Sequence, residues 1–146
     1  MNADLIATRQ AIQTGKQRPQ DVAEACIDMA KSAACEHAFL QKTPDTLLSV
    51  ASQPEVARRP LAGLAVSIKD LFDVQGQVTT AGSDVLRGRA PALRDATAVA
   101  RLRAAGAGLI GRTHMVEFAF SGVGINPHVP TPAAWDAFSN AAAGGK

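Results

Sequence analysis

Lys69 lies at the end of a predicted strand, in a position where a lysine could take part in proton transfer. Leu64, Val66 and Ile68 alternate with small or polar residues, which predicts a strand with one buried face. Ser67 and Lys69 share the opposite face of that strand. An amine accepts a proton only when neutral, and burial at a strand end beside hydroxyl groups lowers the affinity of a lysine for its proton.

The surroundings of this lysine also allow ordinary roles. From strand context alone, an exposed Lys69, or one paired with the adjacent Asp70, is the more common arrangement. Ser67 could be mistaken for a nucleophile, but a strand lacks the sharp turn that exposes such residues. We therefore interpret Ser67 as a hydrogen-bonded strand serine.

Two glycine patterns suggest phosphate binding but lack the required order of elements. Gly106, Gly108 and Gly111 fit G-x-G-x-x-G, yet a helix precedes them and a strand follows, so no helix N-terminus faces a pyrophosphate. The same stretch fits a phosphate loop except that Arg112 replaces the lysine before Thr113. A sharp helix-to-strand turn with close packing explains these glycines better.

Composition argues against several classes of partner and ligand. The net charge of +2 comes from interspersed charges, which does not predict nucleic-acid binding. The sequence shows no leader-like N-terminus and no apolar run of spanning length, so we expect a cytoplasmic protein without a membrane partner. Cys26 and Cys35 fit reduced thiols, and His114 and His128 lack the spacing of metal ligands.

The first part of the chain has the pattern of two helices. An amphipathic helix is expected from Asp4 to about Thr14, and a second one begins at Pro19. These two helices are expected to pack as a hairpin. A turn or short helix fits residues 46–51. The buried stripe predicted for the second helix consists of Val22, Cys26, Met29 and Ala33.

A helix and a strand are expected to follow the lysine strand. Asp95 is a good N-cap, and Gly106 can end the helix that it begins. That helix is expected to line one face with Val99, Leu102 and Ala105. Leu109 and Ile110 then begin a short buried strand. The order of strand, helix and strand predicts an α/β fold.

Two successive blocks of this sequence resemble the amidase signature family. The first is PLAGLAVSIKDLFDVQGQVTTAGS, residues 60–83, and the second is DATAVARLRAAGAGLIGRTHMVEFAFSGVGINPH, residues 95–128. The helices up to Pro44 also resemble the opening of that family. The resemblance implies the N-terminal part of a mixed sheet flanked by helices, incomplete in this chain. It divides the chain into a helical hairpin (1–45), a lysine-bearing α/β core segment (60–128) and a divergent tail (129–146).

The resemblance also implies a chemistry. Members of the family hydrolyse amides to acid and ammonia with a serine nucleophile, a second serine in a cis peptide and a lysine base, without a cofactor or metal. Lys69 matches that lysine. Asp70, directly beside it, is then expected to be a structural partner. The following loop residues are expected to stabilise turns: Thr79, Thr80, Gly82 and Ser83.

The likeness stops where the family's serines would be expected. Trp135 and Asp136 still resemble the family, and Gly144 and Gly145 fall where its glycine pair precedes the cis serine, but Lys146 follows. Without that serine and the nucleophile, we expect the chain to be inactive alone. Two alternatives remain: the ammonia-releasing component of a tRNA-dependent amidotransferase, with partner subunits, and a non-catalytic fragment that acts through an exposed sheet edge. The amide substrate and the oligomeric state are left open.

Overall fold

A computed structural model describes residues 4–136 and 141–143. Helices α1 (Leu5–Gln13) and α2 (Pro19–Lys31) come first. Strand β1 (Phe39–Lys42) and helix α3 (Pro44–Ala51) follow. The remaining elements are strand β2 (Ala65–Lys69), helix α4 (Thr97–Ala104), strand β3 (Gly108–Thr113) and the short strands β4 (Ala134–Asp136) and β5 (Ala141–Ala143).

The main sheet is mixed and has the order β1-β3-β2. Strand β3 pairs in parallel with β2 and antiparallel with β1, so the last of the three strands in sequence is the central one. Helices lie on both faces, which confirms the α/β class. Strands β4 and β5 form a separate antiparallel pair. No helix among residues 4–136 is long and apolar enough to cross a membrane.

The two faces of the sheet carry separate apolar clusters. On one face α4 contributes Val99, which packs with Ile68 and Leu109 of the two parallel strands. On the other face α2 and α3 pack against Ile110 of β3. This arrangement confirms that one face of the lysine strand is buried and that β3 is a buried strand.

Helix α2 buries a different stripe from the predicted one. The predicted residues begin at Val22 and end at Ala33, but Met29 is 53% exposed and Ala33 lies in a 3-10 turn after the helix. The residues that α2 buries are Ala23, Ile27 and Ala30. The prediction was wrong for Met29 and Ala33, whereas Val22 and Cys26 are half-buried at the edge of the core. The small alanines instead give α2 a close approach to α3.

Two further details differ from the sequence prediction. Helix α4 begins at Thr97 after an N-cap at Ala96, so Asp95 is not its cap. The Asp95 carboxylate instead accepts the N–H of Gln75 at 2.7 Å and pairs with Arg103 at 2.9 Å, which ties the loop after β2 to the helix. Strand β1 was not predicted; it lies inside the segment for which only helices were expected.

The glycines near β3 serve packing. Gly106 has φ +90° and ends α4, so it requires the left-handed region that glycine enters freely. A Cβ on Gly108 would meet Leu47 of α3, and one on Gly111 would meet the carbonyl of Gln41 in β1. The spacing therefore reflects close approach of neighbouring elements, as the order of helix and strand predicts.

Candidate active site

Lys69 lies at the carboxyl end of β2, opposite Thr113 of β3. Its side chain is exposed, as is that of Ser67 on the same face. Within residues 4–136, Nζ of Lys69 has no hydrogen-bond or ion-pair partner. The burial expected for a neutral amine is not observed, because β2 is an edge strand and no described segment covers this end of it.

Asp70 turns in the opposite direction and is 1% exposed. Its carboxylate accepts hydrogen bonds from Nε of Arg112 at 2.7 Å and from the N–H of Gly82 at 3.1 Å. The hydroxyl of Thr80 also donates to it. Asp70 is thus bound to Arg112 rather than to Lys69, and the structural role predicted for it is confirmed.

Arg112 connects the lysine strand to most of the following loop. Beyond its ion pair with Asp70, its Nη2 donates to the carbonyl of Phe72 at 3.0 Å and lies 3.2 Å from the hydroxyl of Thr79. Its Nη1 lies 3.4 Å from Oε1 of Gln77. In the sequence, Arg112 stands out only as a departure from a phosphate loop. An arginine in a buried strand requires a charged partner, and that was the available signal.

The backbone around Lys69 is also held in place. The carbonyl of Lys69 accepts the N–H groups of Leu71 at 2.6 Å and Phe72 at 3.2 Å, which forms a tight turn after the strand. The carbonyl of Asp70 accepts the N–H of Ala81 at 2.9 Å. The Lys69 backbone is therefore held in place, while its side chain has no partner among the described residues.

Of the loop residues predicted to stabilise turns, Thr79 binds within the loop, whereas Ser83 also binds a distant segment. The Thr79 hydroxyl donates to Asp73 at 2.8 Å, and the buried Ser83 hydroxyl donates to Glu117 at 2.6 Å. Gly82 has φ +69°, and a Cβ there would lie 2.9 Å from Nδ2 of Asn126. The loop is thus packed too closely at Gly82 for a larger residue.

A segment that leaves β3 returns to this loop. The N–H of Phe118 donates to the carbonyl of Ala81 at 2.8 Å. The buried Asn126 amide donates to the carbonyls of Gly82 at 2.7 Å and Met115 at 2.8 Å. Nothing in the residues around Asn126 indicates that it is a buried bridge. Because these contacts start from the carboxyl end of β3, the segment lies at the same end of the sheet as Lys69.

Glu117 and Cys26 are two titratable groups with shifted pKa values. The pKa of Glu117 is lowered, first by the hydrogen bond from Ser83 and then by the one from His128. The pKa of the Cys26 thiol is raised by burial. Residues 4–136 contain no group of three or more His, Cys, Asp or Glu that could hold a metal ion.

Two cavities lie beside this end of β2, and Lys69 lines neither of them. A cavity of about 520 Å³ borders the inner side and is lined in part by Asp70, Gln77 and Arg112. An apolar groove of about 750 Å³ runs between α2 and the sheet, next to Ser67. Gly144, Gly145 and Lys146, where the family's glycine pair was expected, lie outside the described residues.

Comparison with known proteins gives a consistent family. A family model described as Amidase matches residues 21–145. AtzE, which is part of the 1-carboxybiuret hydrolase of Pseudomonas sp. (strain ADP), is 36% identical over 126 residues, or 82% of this chain and 28% of that protein. A component of the Glutamyl-tRNA(Gln) amidotransferase of Bordetella petrii is 37% identical over 147 residues, or 96% of this chain and 28% of that protein.

A solved structure agrees with these relatives. A crystal structure of an amidase superposes with a TM-score of 0.78 and 32% identity, over 92% of this chain and 32% of its own. The chain spans 28% of the length of the two curated relatives named above. The described fold is therefore similar to one part of a larger protein.

Proposed function

Because this chain belongs to the amidase family, we propose that it forms the lysine-bearing part of a hydrolase that converts carboxamides to acids and ammonia. Lys69 is the proposed base. The observation that supports this role is the contrast between Lys69, which has no partner within residues 4–136, and the adjacent Asp70, which is bound to Arg112. Because Asp70 is paired with Arg112, this neighbouring carboxylate does not pair with Lys69.

The proposed reaction proceeds through an acyl-serine intermediate. A serine Oγ attacks the carbonyl carbon, and its proton passes through a second serine to the neutral amine of Lys69. The same proton moves to the leaving nitrogen, ammonia departs, and water then releases the acid. The two serines have no counterpart within these 146 residues, so the proposal concerns a longer form and we expect no hydrolysis from the 146 residues alone. The proposed partner is a small-molecule amide, in the cytoplasm.

A second candidate is the ammonia-releasing component of an amidotransferase. The likeness to the amidotransferase component of Bordetella petrii, which covers 96% of this chain, favours it. In that case glutamine is the amide substrate, and partner subunits purify with the protein. Glutamine hydrolysis by a protein that purifies without other subunits would count against this candidate.

A third candidate is a non-catalytic role through the sheet edge. Strand β2 is an edge of the main sheet, and within the described residues only β3 pairs with it. Such an edge can pair with a strand of another chain. A compact monomer by size-exclusion chromatography would argue against this candidate.

The test of the main proposal begins with the gene. The nucleotide sequence after the last codon is read in all three frames for Gly-Gly-Ser-Ser-Ser-Gly. In the longer product, Lys69→Ala is expected to lower kcat/KM for an amide by about 10²- to 10⁴-fold, the usual contribution of a general base.

The matched control for this test is Lys42→Ala. Lys42 is also an exposed strand lysine, but it lies in β1, the opposite edge of the sheet. This control should retain full turnover. Equal turnover of Lys69→Ala and the wild type would refute the role of Lys69.

A further inference from the structure

Helix α2 has a second apolar stripe that the core uses only in part. Val22, Cys26 and Met29 recur at spacings of four and three, one position before the stripe that α2 buries. All three side chains line the apolar groove between α2 and the sheet. Met29 is 53% exposed, and Val22 and Cys26 are half-buried. The apolar surface of α2 therefore extends beyond the described core.

The groove combines buried and exposed apolar residues. Leu64 and Ile110 are buried among its lining residues. Leu5 of α1 and Met29 of α2 also line it, and more than half of each residue is exposed. Contiguous exposed apolar surface of this kind is typical of a site that packs against a partner. Hydrophobic grooves beside helices receive amphipathic helices, which insert apolar side chains at helical spacing.

An acidic stripe runs along α2 beside this groove. Asp21, Glu24 and Asp28 are exposed and recur at spacings of three and four, and Asp21 also lines the groove. Arg18 pairs with Asp21. Glu24 and Asp28 have no ion-pair partner within residues 4–136, and the one basic residue of α2 is Lys31 in its last turn. The negative charge of this stripe attracts basic side chains.

We propose that the groove is a docking site for an amphipathic helix of another protein. The apolar side chains of that helix enter the groove, and its basic side chains face the acidic stripe. A second copy of this chain fits the groove less well, because two α2 helices would bring their acidic stripes together. Docking requires no hydrolysis, so this proposal is independent of the role proposed for Lys69.

The test uses the 146-residue chain and two synthetic peptides of about 18 residues, both with leucine at helical spacing. One peptide carries lysine at its remaining positions, and the other carries glutamate. We expect the lysine peptide to bind at least about tenfold more tightly, measured by fluorescence anisotropy of the labelled peptides. The net charge of the chain is +2, so overall charge would favour the glutamate peptide. Equal binding, tighter binding of the glutamate peptide, or binding of neither would overturn the proposal.

The thiols of the chain report where the peptide binds. Cys26 and Cys35 are the two cysteines of the sequence, and both line the groove. The bound lysine peptide should slow alkylation of both thiols by iodoacetamide about tenfold, measured by mass spectrometry, because reactivity depends on access. Binding that protects neither thiol would overturn the proposal. Protection that appears without peptide as the chain concentration rises would show that a second copy fills the groove, which would also overturn it.

Two variants separate the apolar and the charged contributions. Met29→Gln replaces an exposed apolar side chain of the groove and should weaken binding of the lysine peptide about fivefold or more. The double variant Glu24→Gln with Asp28→Asn removes two charges of the acidic stripe. It should reduce the preference for the lysine peptide over the glutamate peptide about threefold or more.

Each variant has a matched control. Leu93→Gln replaces a leucine that is 92% exposed and does not line the groove. Asp45→Asn with Glu55→Gln removes two exposed acids that lie outside α2. Neither control should change the binding of the lysine peptide. If the groove variants bind as the wild type does, or lose no more binding than their controls, the groove is not the docking site.

Discussion

At the carboxyl end of β2, charged side chains are buried and paired on one side of the strand but exposed and without a described partner on the other. On the inner side, Asp70 and Arg112 have side chains that are only 2% and 3% exposed, and each is surrounded by hydrogen-bond partners. On the outer side, Lys69 and Ser67 face solvent, and Lys69 has no partner within residues 4–136. At consecutive positions, the end of β2 thus carries an amine without a partner among the described residues and a carboxylate that is paired with β3.

The ion pair on the inner side explains why Lys69, on the outer side, has no partner among the described residues. An acid next to a lysine in sequence is the nearest candidate for an ion pair. Alternation along a strand sends the two side chains to opposite faces, and Arg112 then binds the carboxylate at 2.7 Å. The inner side thus binds the carboxylate, and Lys69, the proposed base, is left on the other side.

The largest expected effect comes from breaking the inner pair. Arg112→Met leaves the buried Asp70 carboxylate without its cation, which should lower the free energy of unfolding by about 3–5 kcal/mol. Urea denaturation followed by circular dichroism measures the change. The double variant Asp70→Asn with Arg112→Met removes both charges and should recover much of that loss.

Arg58→Met is the matched control for this prediction. Arg58 also pairs with an acid, Glu55 at 3.0 Å, but the two side chains are 83% and 67% exposed. Its replacement should change the free energy of unfolding by about 0.5 kcal/mol or less. If the two single variants lose equal stability, the inner side is not the rigid one.

An intermediate effect is expected where β3 approaches β1. In Gly111→Ala the new Cβ would meet the carbonyl of Gln41 and lie 3.0 Å from Cδ1 of Phe39, so the two strands must separate. The free energy of unfolding should fall by about 1–3 kcal/mol, as in other overpacked cores. Gly122→Ala, which meets no atom within 4 Å, is the control and should melt like the wild type.

The smallest effect is expected on the outer side. Lys69→Ala removes an exposed side chain without a described partner, so the free energy of unfolding should change by about 0.5 kcal/mol or less. The same change in an active longer form should abolish most of the turnover. A large loss of stability in Lys69→Ala would show that this lysine has a structural role and would weaken the contrast between the two sides.

The sequence predicts the parts of this fold whose signal is local. The alternation from Leu64 to Ile68 identifies β2, because a strand with one buried face alternates apolar and polar residues. The apolar pair Leu109 and Ile110 identifies β3, because a strand buried on both faces has consecutive apolar residues. Strand β1 has only four residues and no such pattern, so it was missed.

Long-range partners could not be predicted in the same way. Asp70 and Arg112 are separated by 42 positions, and nothing in the residues around either one indicates that the other is its partner. The face of α2 was misjudged because the predicted stripe left out Ile27, which the helix buries together with Ala23 and Ala30 against α3. The lysine itself was found through its strand and through family resemblance, whereas its exposure depends on which segments cover β2.

The order of strands in the main sheet has a consequence for synthesis on the ribosome. Strand β3 is the central strand, yet it is the last of the three to be translated, so β1 and β2 have no sheet partner until residue 113 has emerged. Contacts between distant residues form slowly, and unpaired strands are prone to aggregate. The nascent chain up to α4 is therefore the stage at which a chaperone should matter most.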